Sequence, residues 1–202
     1  MTAFHPYPVP ARLPSSSERR VAPRSRCVYR LVRLSSPRNE GFARARNISD
    51  TGMKLEATMP LALNDSVTVA FSERIAVSAR VVWTNDRECG VAFEHPIDSG
   101  ALLALSAGET GGQDPRPLRL RASVPATVEA DGRLSRTRAN DVSLRDLSVA
   151  HDGTFRPGLR VRVILDGGRE TDAVVRWSRD DFARLHLLEP FSVEALGSVQ
   201  PA

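Results

Sequence analysis

The run "IAVSARVVW", residues 75–83, sets Val77, Ala79 and Val81 on one side and Ser78 and Arg80 on the other. A side-chain period of two belongs to a strand with one buried face, not to a helix. "SVTVAF", residues 66–71, alternates in the same way. Around these two lie further short runs separated by turn residues: "CVYRLVRL", "FARARNIS", "MKLEAT" and "CGVAFE". A helical stretch in "PIDSGALLALSA", begun after Pro96 and Asp98, follows them. Short strands at regular intervals with a late helix read as a small antiparallel β-barrel.

The pattern then returns. Displaced by 94 residues without a gap, Arg44 and Ala45 fall on Arg138 and Ala139, Ser49 on Ser143, and Val67 and Val69 on Val161 and Val163. In the same register Ala79, Val81 and Trp83 fall on Ala173, Val175 and Trp177, and Pro96 on Pro190. One unbroken register marks two copies of one unit. Arg24 meets Leu118, which suggests a short insertion or deletion in the first hairpin that moves Arg119 or Arg121 into its place. The expected fold class is all-β: two tandem small antiparallel barrels, each with a short C-terminal helix, closure removing the exposed edges. The expected organisation is a disordered segment at 1–18, a first domain at 19–107, a linker at 108–114 and a second domain at 115–199. Pro8, Pro10, Pro14 and "SSS" mark the first segment, and "GETGGQDPRP" holds the linker. Trp83 and Trp177, at equivalent strand ends, read as core aromatics.

With 202 residues, 41% hydrophobic and 26% charged, the chain has the composition of ordinary globular domains. No run approaches the length that crosses a bilayer, and the N-terminus lacks the charged and apolar regions of a secretory signal. Cys27 and Cys89 lie in expected strands without metal-ligand spacing, so they read as reduced, packed thiols in a cytoplasmic protein. Of 28 basic residues all but Lys54 are arginine, and ten arginines between Arg12 and Arg46 face only Glu18 and Glu40. Such a segment carries a positive field, and guanidinium forks onto phosphates and stacks on flat rings. Arg26, Arg30, Arg33, Arg44 and Arg46 read as solvated strand faces.

Two motifs stand out. "RRVAPR" separates Arg20 from Arg24 by three residues, and Pro23 disfavours a helix there. In extended chain the pair can stand up to ~13 Å apart, enough to close around a ligand larger than one phosphate. "NISDTG" places Asn47, Ser49 and Gly52 at short spacing, 23 residues after Arg24. Alone, that stretch reads as a turn or bulge in which Ser49 bonds the local backbone.

"RRVAPR" and "NISDTG", followed by "ARVVW" and "GVAF", resemble the PilZ domain family, the likeness covering about residues 19–96. In that family an R-x-x-x-R loop and a [DN]-x-S-x-x-G turn together bind the bacterial second messenger cyclic di-GMP. The resemblance implies ligand contacts from Arg20, Arg24, Asn47, Ser49 and Gly52, with Arg19 a candidate for a further one. Guanine offers O6 and N7 to a guanidinium fork, Asn47 can read a base edge, and Ser49 can donate to a phosphate or base. Gly52 admits close backbone approach. The second copy reads "NDVSLRDLS": Asp141 and Ser143 persist, Asp146 replaces the glycine, and no arginine pair has the motif spacing. It is expected to be degenerate, a scaffold or partner surface.

The implied protein is a non-enzymatic receptor that needs no cofactor or metal, changes conformation on binding cyclic di-GMP and signals through contact with an unidentified protein. Two other classes compete. A nucleic-acid-binding barrel would suit the basic N-terminal third, but Tyr29 and Phe42 are the only aromatics between residues 27 and 48. An enzyme would need a catalytic constellation, whereas His5, His95, His151 and His186 are scattered and no H-E-x-x-H, phosphate loop or G-x-S-x-G is present. A divergent scaffold that binds no nucleotide is the remaining alternative.

Overall fold

The computed structural model describes residues 26–110, 117–121, 123–165 and 168–199. The segment 1–18, the arginines at 19, 20 and 24, and residues 111–114 of the expected linker lie outside the described residues.

In the first half, β1 (Arg26–Ser35), β2 (Glu40–Ile48), β3 (Gly52–Ala57), β4 (Ser66–Ala70), β5 (Ala76–Asn85) and β6 (Glu88–Phe93) precede α1 (Ser99–Thr110). The strands close into an antiparallel barrel in the order β1-β2-β3-β6-β5-β4, with β4 pairing back onto β1. The period-two faces sort as the sequence requires: Val77, Ala79 and Val81 point inward, while Ser78 and Arg80 face solvent. Val32, Leu34, Ala45, Leu55 and Val69 fill the interior without solvent exposure, so this is a packed core and not a channel. Asp98 Oδ1 accepts the Ala101 amide at 2.9 Å, an N-cap that starts α1 after Pro96 and Asp98. The helix runs to Thr110, into the stretch read as linker.

The second half repeats this in β7 (Val124–Ala130), β8 (Arg133–Asn140), β9 (Asp146–Ala150), β10 (Arg160–Leu165), β11 (Arg169–Arg179) and β12 (Phe182–Leu187). These also close into a barrel, in the order β7-β8-β9-β12-β11-β10. The 94-residue register holds down to single backbone bonds. The amide of Ser49 donates to Gly52 O as that of Ser143 does to Asp146 O, and Asn64 donates to Val81 O as Gly158 does to Val175 O. It also runs unbroken through the first hairpin: Arg30 pairs with Ala45 as Val124 does with Ala139, and Arg26 with Ile48 as Leu120 does with Val142. The expected insertion or deletion is therefore absent from the hairpin. The chain separates into two compact units after Leu118. Where the first copy ends in α1, the second ends in a 3₁₀ turn, Glu194–Leu196, stopped at Gly197. A three-residue segment before glycine is too short to propagate a helix.

The arginines of the first barrel are not all solvated. Arg33 is deeply placed between Glu40 and Glu73, at 3.3 and 3.2 Å, and Arg30 donates to the carbonyl of Ser106 at 2.5 Å. Arg46 is ion-paired with Glu56 and stacks 4.2 Å from the centroid of Tyr29. The reason is local: α1 packs over one end of the barrel and carboxylates stand across the strands, so long side chains find partners before they reach water. The two thiols also differ. Cys89 is buried, which pushes its pKa up to about 11, whereas Cys27 is exposed and so is not the packed thiol expected. Native protein should therefore react with a disulfide reagent at Cys27 alone, Cys89 following only on denaturation. Equal reactivity in the folded chain would contradict this burial.

Candidate functional site

The "NISDTG" turn joins β2 to β3 and is held from three directions. Within it, Ser49 Oγ donates to Gly52 O at 3.2 Å and accepts the Thr51 amide at 3.4 Å. Below it, the Phe93 amide donates to Thr51 O and the Ile97 amide to Asp50 O. Beside it, Asp50 Oδ1 accepts both the amide and the hydroxyl of Ser99, at 3.1 and 2.7 Å, which ties the turn to the first residue of α1. Asp50→Ala should destabilise the first barrel by about 1 kcal/mol, since it removes a capping acceptor. Thermal unfolding checks this, and an unchanged transition would mean the tie is idle.

Two of the expected ligand residues thus have structural duties. Ser143 repeats the role of Ser49 in the second copy, with Ser143 Oγ donating to Asp146 O at 3.1 Å, so this serine shapes the turn in both barrels. A Cβ on Gly52 would stand 2.5 Å from Val91 O, across the β3–β6 pair. The close approach that requires glycine is therefore to a neighbouring strand. Asn47, half-buried at the end of β2, has no counterpart geometry in the second copy. There Asp141 adopts a left-handed conformation (φ 54°), while in the first barrel the irregularity is a bulge at Arg46 between Ala45 and Asn47.

Around Asn47, Ser49 and Gly52 opens a shallow depression of about 240 Å³, whose other walls include Lys54, Trp83 and Gly90. Trp83 is 40% exposed and Trp177 39%, which corrects the expectation of core aromatics. The cause is a β-bulge. Val81 pairs with Val91 but Trp83 with Gly90, leaving Val82 as an extra residue that turns the indole out of the barrel. The same irregularity separates Val175 from Trp177. The Trp83 indole then lies flat on Gly90, where an added Cβ would meet its Nε1 at 2.0 Å. Lys54 reaches the same depression and pairs with Glu88 at 2.8 Å. Sequence reasoning missed Trp83, Lys54 and Gly90 as site residues. The signal available for them was the adjoining "GVAF" and the lone lysine.

The site joins Asn47, Ser49 and Gly52 in one wall. Arg19, Arg20 and Arg24 lie outside the described residues. By sequence Arg24 precedes Arg26 by two positions, and Arg26 pairs with Ile48 beside Asn47. The wall offers an amide, an ammonium and an aromatic face, a set suited to a flat, anionic, hydrogen-bonding molecule.

The sequence profile described as the PilZ domain matches residues 18–107. The first barrel is a PilZ domain. No curated protein matches the chain. Among solved structures, the PilZ-bearing chain is similar to the inhibitor of motility MotI/DgrA of Bacillus subtilis, at 18% identity over 84% of this chain and 93% of that one, TM-score 0.37. It is similar to PlzA of Borreliella burgdorferi, solved in complex with c-di-GMP, at 13% identity over 79% and 80%, TM-score 0.32. It is similar also to YcgR of Escherichia coli in complex with c-di-GMP, at 16% identity over 81% and 76%, TM-score 0.28. The second barrel shares the strand order of the PilZ domain and departs from it at the turn, where Asp146 replaces glycine and bonds His186 Nδ1 at 2.9 Å.

Among the described residues Ser178 Oγ contacts His151 Nε2, at 2.9 Å. The Gly153 amide donates to His151 Nδ1 at 2.8 Å, which leaves the ring proton on Nε2 of the neutral imidazole. That nitrogen donates to the serine and cannot take its proton, as a general base must. Among the described residues no group of three or more potential metal ligands converges, and no helix is long and apolar enough to cross a membrane.

Proposed function

We infer that the PilZ barrel is a receptor for cyclic di-GMP and that it acts by binding, without a catalytic step. The depression bounded by Asn47, Lys54 and the outward indole of Trp83 carries this reading. A purine can lie against the indole, and Asn47 can bond its edge. Arg20 and Arg24, with Arg19 beside them, supply forked donors to the guanine O6 and N7 atoms and charge for the two phosphates. Lys54, the cross-strand neighbour of Asn47, adds a further cation. Bound ligand draws the arginine segment onto the Asn47–Gly52 ledge, and the surface so formed is read by a protein partner in the cytoplasm. The output equals the difference in ligand affinity between the two arrangements of that segment.

Isothermal titration of the folded chain with cyclic di-GMP tests this. Saturable binding at micromolar ligand is expected, weakening with added salt as screened phosphate contacts do. No heat at that concentration, from protein whose circular dichroism shows it folded, overturns the reading. The nucleic-acid alternative is weakened by the fold: Phe42 is 1% exposed inside the barrel, which leaves Tyr29, with Arg46 over one of its faces, as the single open aromatic of the pair.

A further inference from the structure

At the mouth of the second barrel, Arg184 replaces Gly90 in the 94-residue register. Its guanidinium lies 5.6 Å from the ring centroid of Trp177, the counterpart of Trp83. Its Nη2 donates at 2.9 Å to Asp141 Oδ2, and Asp141 is the counterpart of Asn47. Arg119 Nη1 approaches the same carboxylate at 3.5 Å. The aromatic and the polar wall of the PilZ depression therefore have equivalents in the register, although Ser148 stands where Lys54 is and Asp141 differs from Asn47 in backbone conformation. The space between the two walls is taken by a side chain of the protein. The arginine is not there for solvation: Nη1 of Arg184 is buried without a hydrogen-bond partner among the described residues. Ring and carboxylate hold it in place.

We propose that Arg184 is an internal plug, a guanidinium seated against Trp177 and Asp141 where a ligand sits against Trp83 and Asn47, and that the Gly90/Arg184 difference sets which barrel is open. The inference rests on the cyclic di-GMP reading for what the open barrel takes, though the plug itself does not depend on it. It also moves the silencing of the second copy away from Asp146. That carboxylate is engaged with His186, on the strand pair beside the mouth and not across it. Leu118, in the sequence position of Arg24, removes the clasp independently, and the plug removes the seat.

Two reciprocal variants test the proposal. Gly90→Arg should lower the affinity of the first barrel for cyclic di-GMP on the order of 100-fold and well beyond Gly90→Ala, which displaces the Trp83 indole equally but supplies no cation to be removed before the ligand enters. A folded Gly90→Arg chain that binds as the parent or as Gly90→Ala does overturns the proposal. The second arm needs no nucleotide. In a Trp83→Phe background, where Trp177 is the sole tryptophan, Arg184→Gly should lower quenching by iodide about two-fold relative to quenching by acrylamide, because the cation that draws the anion to the ring is removed. An unchanged ratio overturns the plug, and this arm decides alone if Gly90→Arg does not fold. If the parent chain binds no cyclic di-GMP while Arg184→Gly lowers iodide quenching, the receptor reading falls and the plug stands.

Discussion

Arg20→Ala and Arg24→Ala should each weaken cyclic di-GMP binding about 100-fold, with the double variant showing no heat at micromolar ligand. A guanidinium that forks onto a base edge or phosphate makes two charge-assisted bonds, each worth about 1.5 kcal/mol or more, so its loss removes ~3 kcal/mol of binding free energy. Stability should not change. Both arginines precede β1 (Arg26–Ser35) in the sequence, and β1 to β6 are the strands that close the barrel. Affinity by titration and the unfolding transition by circular dichroism should therefore separate completely. The comparison with Asn47→Ala sharpens the result, because that change should cost about 1 kcal/mol for a single neutral hydrogen-bonding group. Parent-like affinity in the double arginine variant would remove the clasp from the mechanism, whatever the first barrel binds.

The second large effect is expected at Gly52. Gly52→Ala sets a methyl 2.5 Å from the carbonyl oxygen of Val91, and that oxygen and the Cα that bears the methyl both belong to backbone locked in the β3–β6 ladder. Neither can swing aside as a flexible side chain could. The strands must part, at a cost of about 2 kcal/mol, lowering the unfolding midpoint of the first barrel by about 10 °C. Ligand affinity should fall with it, since the Ser49–Gly52 turn bond moves with the strand. The equivalent change in the second barrel, Asp146→Ala, should cost about 1 kcal/mol or less, because there the ladder already accommodates a side chain and only a partly exposed pair with His186 is lost. A calorimetric scan of both variants measures the contrast. Equal effects would mean that the glycine serves the ligand and not the sheet.

Much of this architecture was legible before any coordinates. The alternation in 75–81, the strand runs and the 94-residue register specify two small β units, because a buried face repeats every second residue whatever surrounds it. The capping signal at Asp98 located α1 for the same reason: it is local. The "NISDTG" turn was legible as a unit too, yet its chemistry was not. Whether Ser49 bonds a ligand or Gly52 O depends on the turn's own closure, and the need for glycine at 52 comes from Val91, thirty-nine positions away in sequence.

From its residues alone the chain discloses that it folds as a repeated all-β unit, that the first copy bears the two PilZ motifs, and that the second lacks them. Those facts live in periodicity and spacing, which are one-dimensional. The orientation of Trp83, the depression it walls with Asn47 and Lys54, and the seat that Arg184 takes in the other barrel belong to three dimensions. A bulge of one residue at Val82 inverts the facing of everything beyond it, and it exists because β5 and β6 pair out of step there. Pairing between strands is a property of the closed barrel, and no local pattern in β5 records it.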